Sequence, residues 1–338
     1  MSRFFRLIGR LVVAAPWLIA GLIAGAASSA DAQPVQKASL RLDWTVLGYH
    51  APFYLGVANG YYRAAGIDLE IQEGKGSPTT VQLVGNGSID FGFADSTTAT
   101  LLISQGLPAK VVMGIFQRST LSLFFPVGKG IAKPADLKGK RILMCPGDGL
   151  IKYLPAYLKA INLTMDDVKT VMVDCGIKYS ALAQGQADAV ATYGYAGKPL
   201  LQAVGVADVG KFDYADAGIA LPAHGIVVSQ KTIAERADLV RRFVSATAKA
   251  WIEAQAKPDE AVAAMVKANP LLSEKTALLK DTLVDSFHYL EIPAIAGKPF
   301  GWQSPEQWAK AEATLVEYVD MPKPASVDQF FTNAFVGN

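Results

Sequence analysis

Histidine and cysteine are the scarcest chemistry-bearing residues in this chain. Its 338 residues include three His (His50, His224, His288) and two Cys (Cys145, Cys175). Scattered donors in that number do not make the ligand spacing of a structural zinc site. No Ser/His/Asp or paired-carboxylate arrangement asserts itself either, so no catalytic residue, metal or cofactor is assigned and the protein is read as no enzyme. Net charge is scarce too. The formal charge is +2, and the first 32 residues, with three Arg and one Asp, account for it; the rest carries 29 basic and 29 acidic side chains. A neutral chain lacks the basic excess needed for non-specific binding to nucleic acid or an anionic membrane. After residue 24 there is no second long apolar run, no internal repeat and no low-complexity tract.

What is present begins with a leader. Arg3, Arg6 and Arg10 form a cationic start, Leu11 to Ala24 an apolar stretch, and Ala30-Asp31-Ala32 a small-residue cleavage site. The apolar stretch is roughly 14 residues long and broken by Pro16, short of the roughly 20 that span a bilayer. No Cys at the cleavage site offers a lipid anchor. Residues 1–32 therefore read as a signal peptide cleaved before Gln33, with a bacterial periplasm as destination and no membrane insertion afterwards. The remaining 306 residues suffice for two lobes with full cores.

Cys145 and Cys175 each end a strand-like run, ILMC and VMVDC. Neighbouring strands of one parallel sheet lie about 4.8 Å apart, so a disulfide is possible if the register matches. An oxidising compartment favours the bridge; two buried thiols are the alternative.

Strand and helix patterns alternate along the chain. Leu40–Leu42, Ile67–Ile71, Ile89–Phe93 and Ala109–Ile115 read as strands, with helices at Pro52–Ala65, Pro78–Gly85 and Thr97–Gln105 between them. A second series follows: strands at Arg141–Cys145, Thr170–Asp174 and Ala187–Ala191, helices near Gly149–Ala160 and Tyr179–Gln184. His224–Ser229 returns as a strand, and from Lys231 the pattern is helical. Such alternation implies parallel pairing with helical crossovers. The expected fold is α/β and two-lobed, each lobe a mostly parallel sheet flanked by helices. Lobe one comprises 33–125 plus 224–338, lobe two 126–223, and two hinge crossings lie near 121–128 and 222–229. Two lobes joined in this way enclose a cleft that closes on a ligand.

The residues from 40 to 71 have a particular place in that plan. They read as strand, aromatic loop, helix and strand, which puts the loop at the carboxyl end of a parallel sheet, where open α/β proteins bind small molecules. The pieces LDW…HAPFY (42–54), GYYRAAGIDLEI (60–71), GSIDFGFADS (87–96), VMGIFQRS (112–119), IAKPADLKGKRI (131–142), ALAQGQADAV (181–190), GW…W (301–308) and FFTN (330–333) together resemble a known family. The chain is similar to the type II-like periplasmic substrate-binding proteins of ABC importers. More narrowly it is similar to the branch of thiamine-pyrimidine-precursor binders and fungal pyrimidine synthases, which is related to the sulfonate- and nitrate-binding proteins. The resemblance implies a monomer that binds a small molecule and delivers it to an ABC permease with its ATPase. Sensing for a membrane receptor is the other role the fold serves. The fungal enzymes' chemistry needs a Schiff-base Lys and a Cys-rich iron site, and this sequence has no Cys cluster.

The expected ligand-binding residues are Asp43, Trp44, Tyr49, His50, Asp95, Ser96, Arg118, Asp148, Gly149, Tyr193 and Tyr195. Trp44 offers a stacking face, and Asp43 a charged acceptor for amino or amide hydrogens. Ser96 also suits a helix cap. Asp148 and Gly149 open a helix in which Asp148 supplies its own cap and repels an anion. Tyr193 and Tyr195 form the opposite aromatic wall. The relatives often carry an acid after the strand at 187–191, whereas this chain has TYGYAGKP. Three carboxylates against one Arg favour a flat neutral or amino-bearing ligand, such as an aminopyrimidine, over a sulfonate, a nitrate-like anion or an aromatic acid.

Overall fold

The computed structural model describes residues 35–146, 148–322 and 326–337. The leader and its cleavage site lie outside them. Ten strands form two five-stranded sheets: β1 (Gln36–Arg41), β2 (Ile67–Gln72), β3 (Phe91–Asp95), β4 (Ala109–Gly114), β5 (Leu121–Pro126), β6 (Arg141–Met144), β7 (Lys169–Met172), β8 (Ala189–Tyr193), β9 (Val209–Asp213) and β10 (His224–Ser229). The first sheet runs β2-β1-β3-β10-β4, the second β7-β6-β8-β5-β9.

Each sheet has one reversed strand. β10 is antiparallel to both β3 and β4, and β5 is antiparallel to both β8 and β9; β1 with β2 and β3, and β6 with β7 and β8, are parallel. The reversed strands are those by which the chain enters a sheet from the other lobe. It arrives at the carboxyl ends of the parallel strands and runs back along them. His224, the first residue of β10, therefore pairs with Asp95, the last of β3, and Leu121 with Tyr193.

This topology corrects the boundary drawn from the sequence. The run Leu121–Phe125, assigned to the first lobe, pairs in the second sheet, because its partners β8 and β9 both come from the middle of the chain. The crossings themselves are the segments 115–120 and 214–223. The helix Pro305–Val319, also assigned to the first lobe, packs on the second-lobe helix Leu154–Ala160, its Trp308 and Leu315 sharing a cluster with Tyr153 and Tyr157. β9 and the helix Gly194–Ala203 had no sequence signal strong enough to name them: β9 is a half-buried edge strand, VGKFD, and the helix contains Pro199. The expected helix over 52–65 is two, Ala51–Ala58 and Tyr61–Ala64, divided at Gly60, whose φ of 72° breaks the helical run.

The largest hydrophobic cluster lies in the first lobe around Leu40, Phe53, Phe91, Phe93 and Trp251, and it takes in Tyr195 and Ala196 from the second-lobe helix. A smaller one, around Phe124, Leu143, Leu182 and Val190, belongs to the second lobe. Among the described residues no helix is long and apolar enough to cross a membrane.

Candidate functional site

The first-lobe wall of the site is organised around Asp43, which follows β1 and is 2 % exposed. His50 donates from Nε2 to Asp43 Oδ1 at 2.7 Å. Its tautomer follows from its other nitrogen, since Nδ1 accepts from the Leu47 amide at 3.1 Å. His224 donates from Nε2 to the second carboxylate oxygen, Oδ2, at 3.0 Å, and its own Nδ1 has no partner among the described residues. The Tyr49 hydroxyl lies 3.3 Å from Oδ2. Burial would raise the Asp43 pKa, but the two imidazoles overcome it and hold the carboxyl well below the ordinary carboxylate range.

The backbone makes this arrangement rigid. Gly48 donates to Thr282 Oγ1 at 3.0 Å, and a Cβ at Gly48 would lie 1.6 Å from the Leu279 carbonyl oxygen. Only glycine lets the helix Thr276–Ser286 sit this close to the turn that carries Tyr49 and His50. The half-buried Trp44 makes no ring-to-ring contact among the described residues and lines the cavity between the walls.

The second-lobe wall is built from the loops after β6, β7 and β8. Asp148 accepts from the Leu150 amide at 3.1 Å, the cap expected of it, and pairs with Lys178 Nζ at 2.8 Å. Both side chains are nearly buried, at 6 % and 5 % exposure. Lys178 also donates to the Ala191 carbonyl at 3.1 Å. Burial alone would depress the Lys178 pKa, and the adjacent Asp148 charge reverses the direction, so the ammonium is kept. Cys145 and Cys175 are joined in a disulfide, their Cα atoms 5.1 Å apart. It ties the turn leading to Lys178 against the loop that carries Asp148. β6 and β7 pair in register at Met144 and Met172, which the sequence left open.

The two walls meet. Tyr49 and Tyr195 have ring centroids 4.5 Å apart, Tyr193 and Tyr195 are stacked at 5.7 Å, and Tyr193 meets the His224 ring edge-on at 4.9 Å. Burial, followed by the charges of Asp95, Asp148 and Asp43, pushes the Tyr193 hydroxyl far above its ordinary pKa; burial and Asp43 do the same to Tyr49 and Tyr195. All three phenols are therefore neutral hydrogen-bonding groups. Between the walls is a cavity of about 50 Å³, lined by Asp43, Trp44, Leu47 and Tyr49 on one side and Asp148, Lys178, Tyr179, Thr192, Tyr193 and Tyr195 on the other. Small-molecule pockets usually measure roughly 300–1,000 Å³, so a ring enters only when the walls part.

The structure thus brings Asp43, Trp44, Tyr49, Asp148, Tyr193 and Tyr195 to one cavity. The other expected residues go elsewhere. His50 stands behind the wall and holds Asp43. Asp95 is committed to the helix Ser96–Ser104: its Oδ1 accepts from the Thr98 amide at 2.6 Å, so the cap is Asp95 and not Ser96, because the helix starts one residue earlier than expected. Ser96 is buried, its amide donating to the Ala223 carbonyl. Arg118 lines a different cavity. Asp43 is also spent differently than expected, since both of its oxygens already accept from imidazole. Lys178, Tyr179 and Thr192 were missed, and so was His224; a lysine three residues beyond a strand-ending Cys was the only available hint.

These walls can be set beside known proteins. The profile of the NMT1/THI5-like proteins matches residues 48–261, a span that contains Tyr49, Asp148, Lys178, Tyr193 and His224. The chain belongs to the NMT1/THI5-like family. Two relatives align with nearly all of it. The riboflavin-binding protein RibY of Chloroflexus aurantiacus is 29 % identical over 92 % of this chain and 89 % of its own. The formylaminopyrimidine-binding protein of Halalkalibacterium halodurans is 24 % identical over 90 % of this chain and 92 % of its own. Among solved structures, the alkanesulfonate-binding protein SsuA of Xanthomonas axonopodis pv. citri, bound to MOPS, superposes with a TM-score of 0.67 at 17 % identity, covering 88 % of this chain and 98 % of that one. The two-lobed periplasmic-binding-protein fold of this NMT1/THI5-like chain is thereby shown, and its full-length relatives are solute-binding proteins. The 4-amino-5-hydroxymethyl-2-methylpyrimidine phosphate synthase of Candida albicans aligns with a shorter stretch, 28 % identical over 42 % of this chain and 41 % of its own.

Proposed function

We propose that the chain is the solute-binding component of an ABC importer, exported by its leader to the periplasm, where it hands its ligand to a permease with its ATPase. The ligand is a flat, uncharged or amino-bearing nitrogen heterocycle, and an aminopyrimidine is the first candidate. One observation carries this reading: the cavity between the lobes is walled by Trp44, Tyr49, Tyr193 and Tyr195 and lined by the carboxylates of Asp43 and Asp148 with the ammonium of Lys178.

Aromatic faces contribute roughly 0.5–1.5 kcal/mol per stacked pair beyond area burial. The surplus of carboxylates repels an anion by a few kcal/mol at intermediate dielectric, which argues against a sulfonate or nitrate despite the likeness to SsuA. Two relatives named for nitrogen heterocycles, a flavin and a formylaminopyrimidine, support the class. In this reading Trp44 stacks on the ring, the tyrosine hydroxyls and Lys178 donate to its ring nitrogens or carbonyls, and Asp43 fixes His50 and His224 in place. Gly149 contributes at most its backbone, and the two lobes part and close about the crossings at 115–120 and 214–223.

Calorimetric titration with 4-amino-5-hydroxymethyl-2-methylpyrimidine, riboflavin, taurine and nitrate tests this. Binding of at least one heterocycle about a hundredfold tighter than taurine, a difference of about 2.7 kcal/mol, is expected. Taurine binding with no response to either heterocycle would refute the reading.

A further inference from the structure

A second cavity, of about 380 Å³, lies where the start of the second-lobe helix Gly194–Ala203 and the edge strand β9 meet the end of the first-lobe helix Thr276–Ser286. Its charged lining carries three fixed cations, Arg118 from a crossing and Lys198 and Lys211 from the second lobe, against Asp213 and Asp285, with His288 of the first lobe beside them. These charges are not neutralised alike. Asp213 is already engaged, accepting from Lys211 at 2.8 Å and from the Ser122 hydroxyl at 2.6 Å. Burial raises the Asp285 pKa, opposed by the nearby His288, Lys198 and Lys211 and reinforced by Asp281. Arg118 and Lys198 have no carboxylate within ion-pair distance among the described residues.

We propose that this cavity is a second binding site, for a small oxyanion carrying two or more negative charges. Its volume falls in the usual ligand range of roughly 300–1,000 Å³, and a planar guanidinium beside ammonium groups matches phosphate or carboxylate oxygens. An anion seated there contacts groups from both lobes and from the crossing between them, so its occupancy is linked to how the lobes stand. The charge sign is opposite to that of the tyrosine-walled cavity, which makes the two sites selective for different chemistry.

The test is a thermal-shift and calorimetric titration of the mature protein with inorganic phosphate and with citrate, against sodium chloride at matched ionic strength. Phosphate or citrate is expected to raise Tm where chloride does not, and the arm with the larger shift identifies the preferred oxyanion. Arg118→Gln combined with Lys198→Gln should weaken that binding at least about tenfold, the loss of one or two charge-assisted hydrogen bonds. Equal shifts in all three salts, or unchanged affinity in the double variant, would overturn the proposal. Should the double variant fail to fold, Lys198→Glu, an exposed helical position, makes the same distinction. No heterocycle is present in this titration, so its failure would leave the reading of the tyrosine-walled cavity standing.

Discussion

The two walls of the cleft satisfy a buried carboxylate in different ways. In the first lobe Asp43 is held by two imidazole N–H groups set in a large aromatic core. In the second lobe Asp148 is held by a lysine ammonium, with a disulfide tying the two loops together. The difference follows from what surrounds each acid. Phe93, Phe116, Tyr49 and Tyr195 pack about the histidines, so rigid rings hold the donors without any flexible side chain. Lys178 is long, and losing its rotamer freedom is costly. Fixing the turn next to it covalently reduces the freedom left to lose. One wall is preorganised by packing and the other by a cross-link.

Breaking each wall separately tests the comparison. The largest effect is expected from Lys178→Met, which leaves Asp148 buried without a counter-charge and should cost roughly 3–5 kcal/mol of unfolding free energy in denaturant titration. A cost below 1 kcal/mol would show that water reaches the pair. Replacing both cysteines with serine should cost about 3–4 kcal/mol in the chain-entropy account of a loop this long, and should weaken heterocycle binding through the displaced Lys178. Asp43→Ala strands two buried imidazole donors and should cost roughly 3 kcal/mol, with no change in the second lobe's disulfide reactivity. Trp44→Ala comes next: a half-buried ring without aromatic partners should cost about 1 kcal/mol or less in stability yet weaken heterocycle binding about tenfold, or 1.4 kcal/mol. If it unfolds the protein instead, Trp44 belongs to the core.

The smallest effect is on pH dependence. Asp43 has a native pKa below its unfolded value, so the stability it contributes is complete above about pH 4 and is lost as pH falls below that value. The stability gap between wild type and Asp43→Asn, measured from pH 7 downwards, should be constant above pH 5 and narrow below pH 4. A gap that stays constant in acid would mean that the imidazoles do not hold the carboxylate in its charged form.

Much of this was legible in the chain. The run LDWTVLGYH was recognisable as a cleft wall because a strand must deliver its last residues to the ligand end of a parallel sheet, and Asp43, Trp44 and Tyr49 do line the cavity. Tyr193 and Tyr195 were legible on the same ground, as the last residue of β8 and the second of the helix that follows it. Arg118 was misplaced because strand-end position alone does not say on which side of the second-lobe helix Gly194–Ala203 a side chain will fall. His224 was missed because it begins a strand, and the beginning of a strand belongs at the opposite end of a parallel sheet.

That exception separates what the sequence decides from what the tertiary structure decides. Local pattern determined the alternation of strands and helices, the two-lobed class and the residues at the strand ends, because periodicity and turn chemistry act over a few neighbours. Only the assembled fold decided that β5 and β10 enter their sheets reversed. The reversal carries His224 to Asp43, 181 positions earlier in the chain, and turns a lone carboxylate into a buried, fully partnered one. The chain on its own offered an acid that looked ready to bind; the pairing of distant strands occupied that acid and left the tyrosine faces, Trp44 and Lys178 lining the cavity.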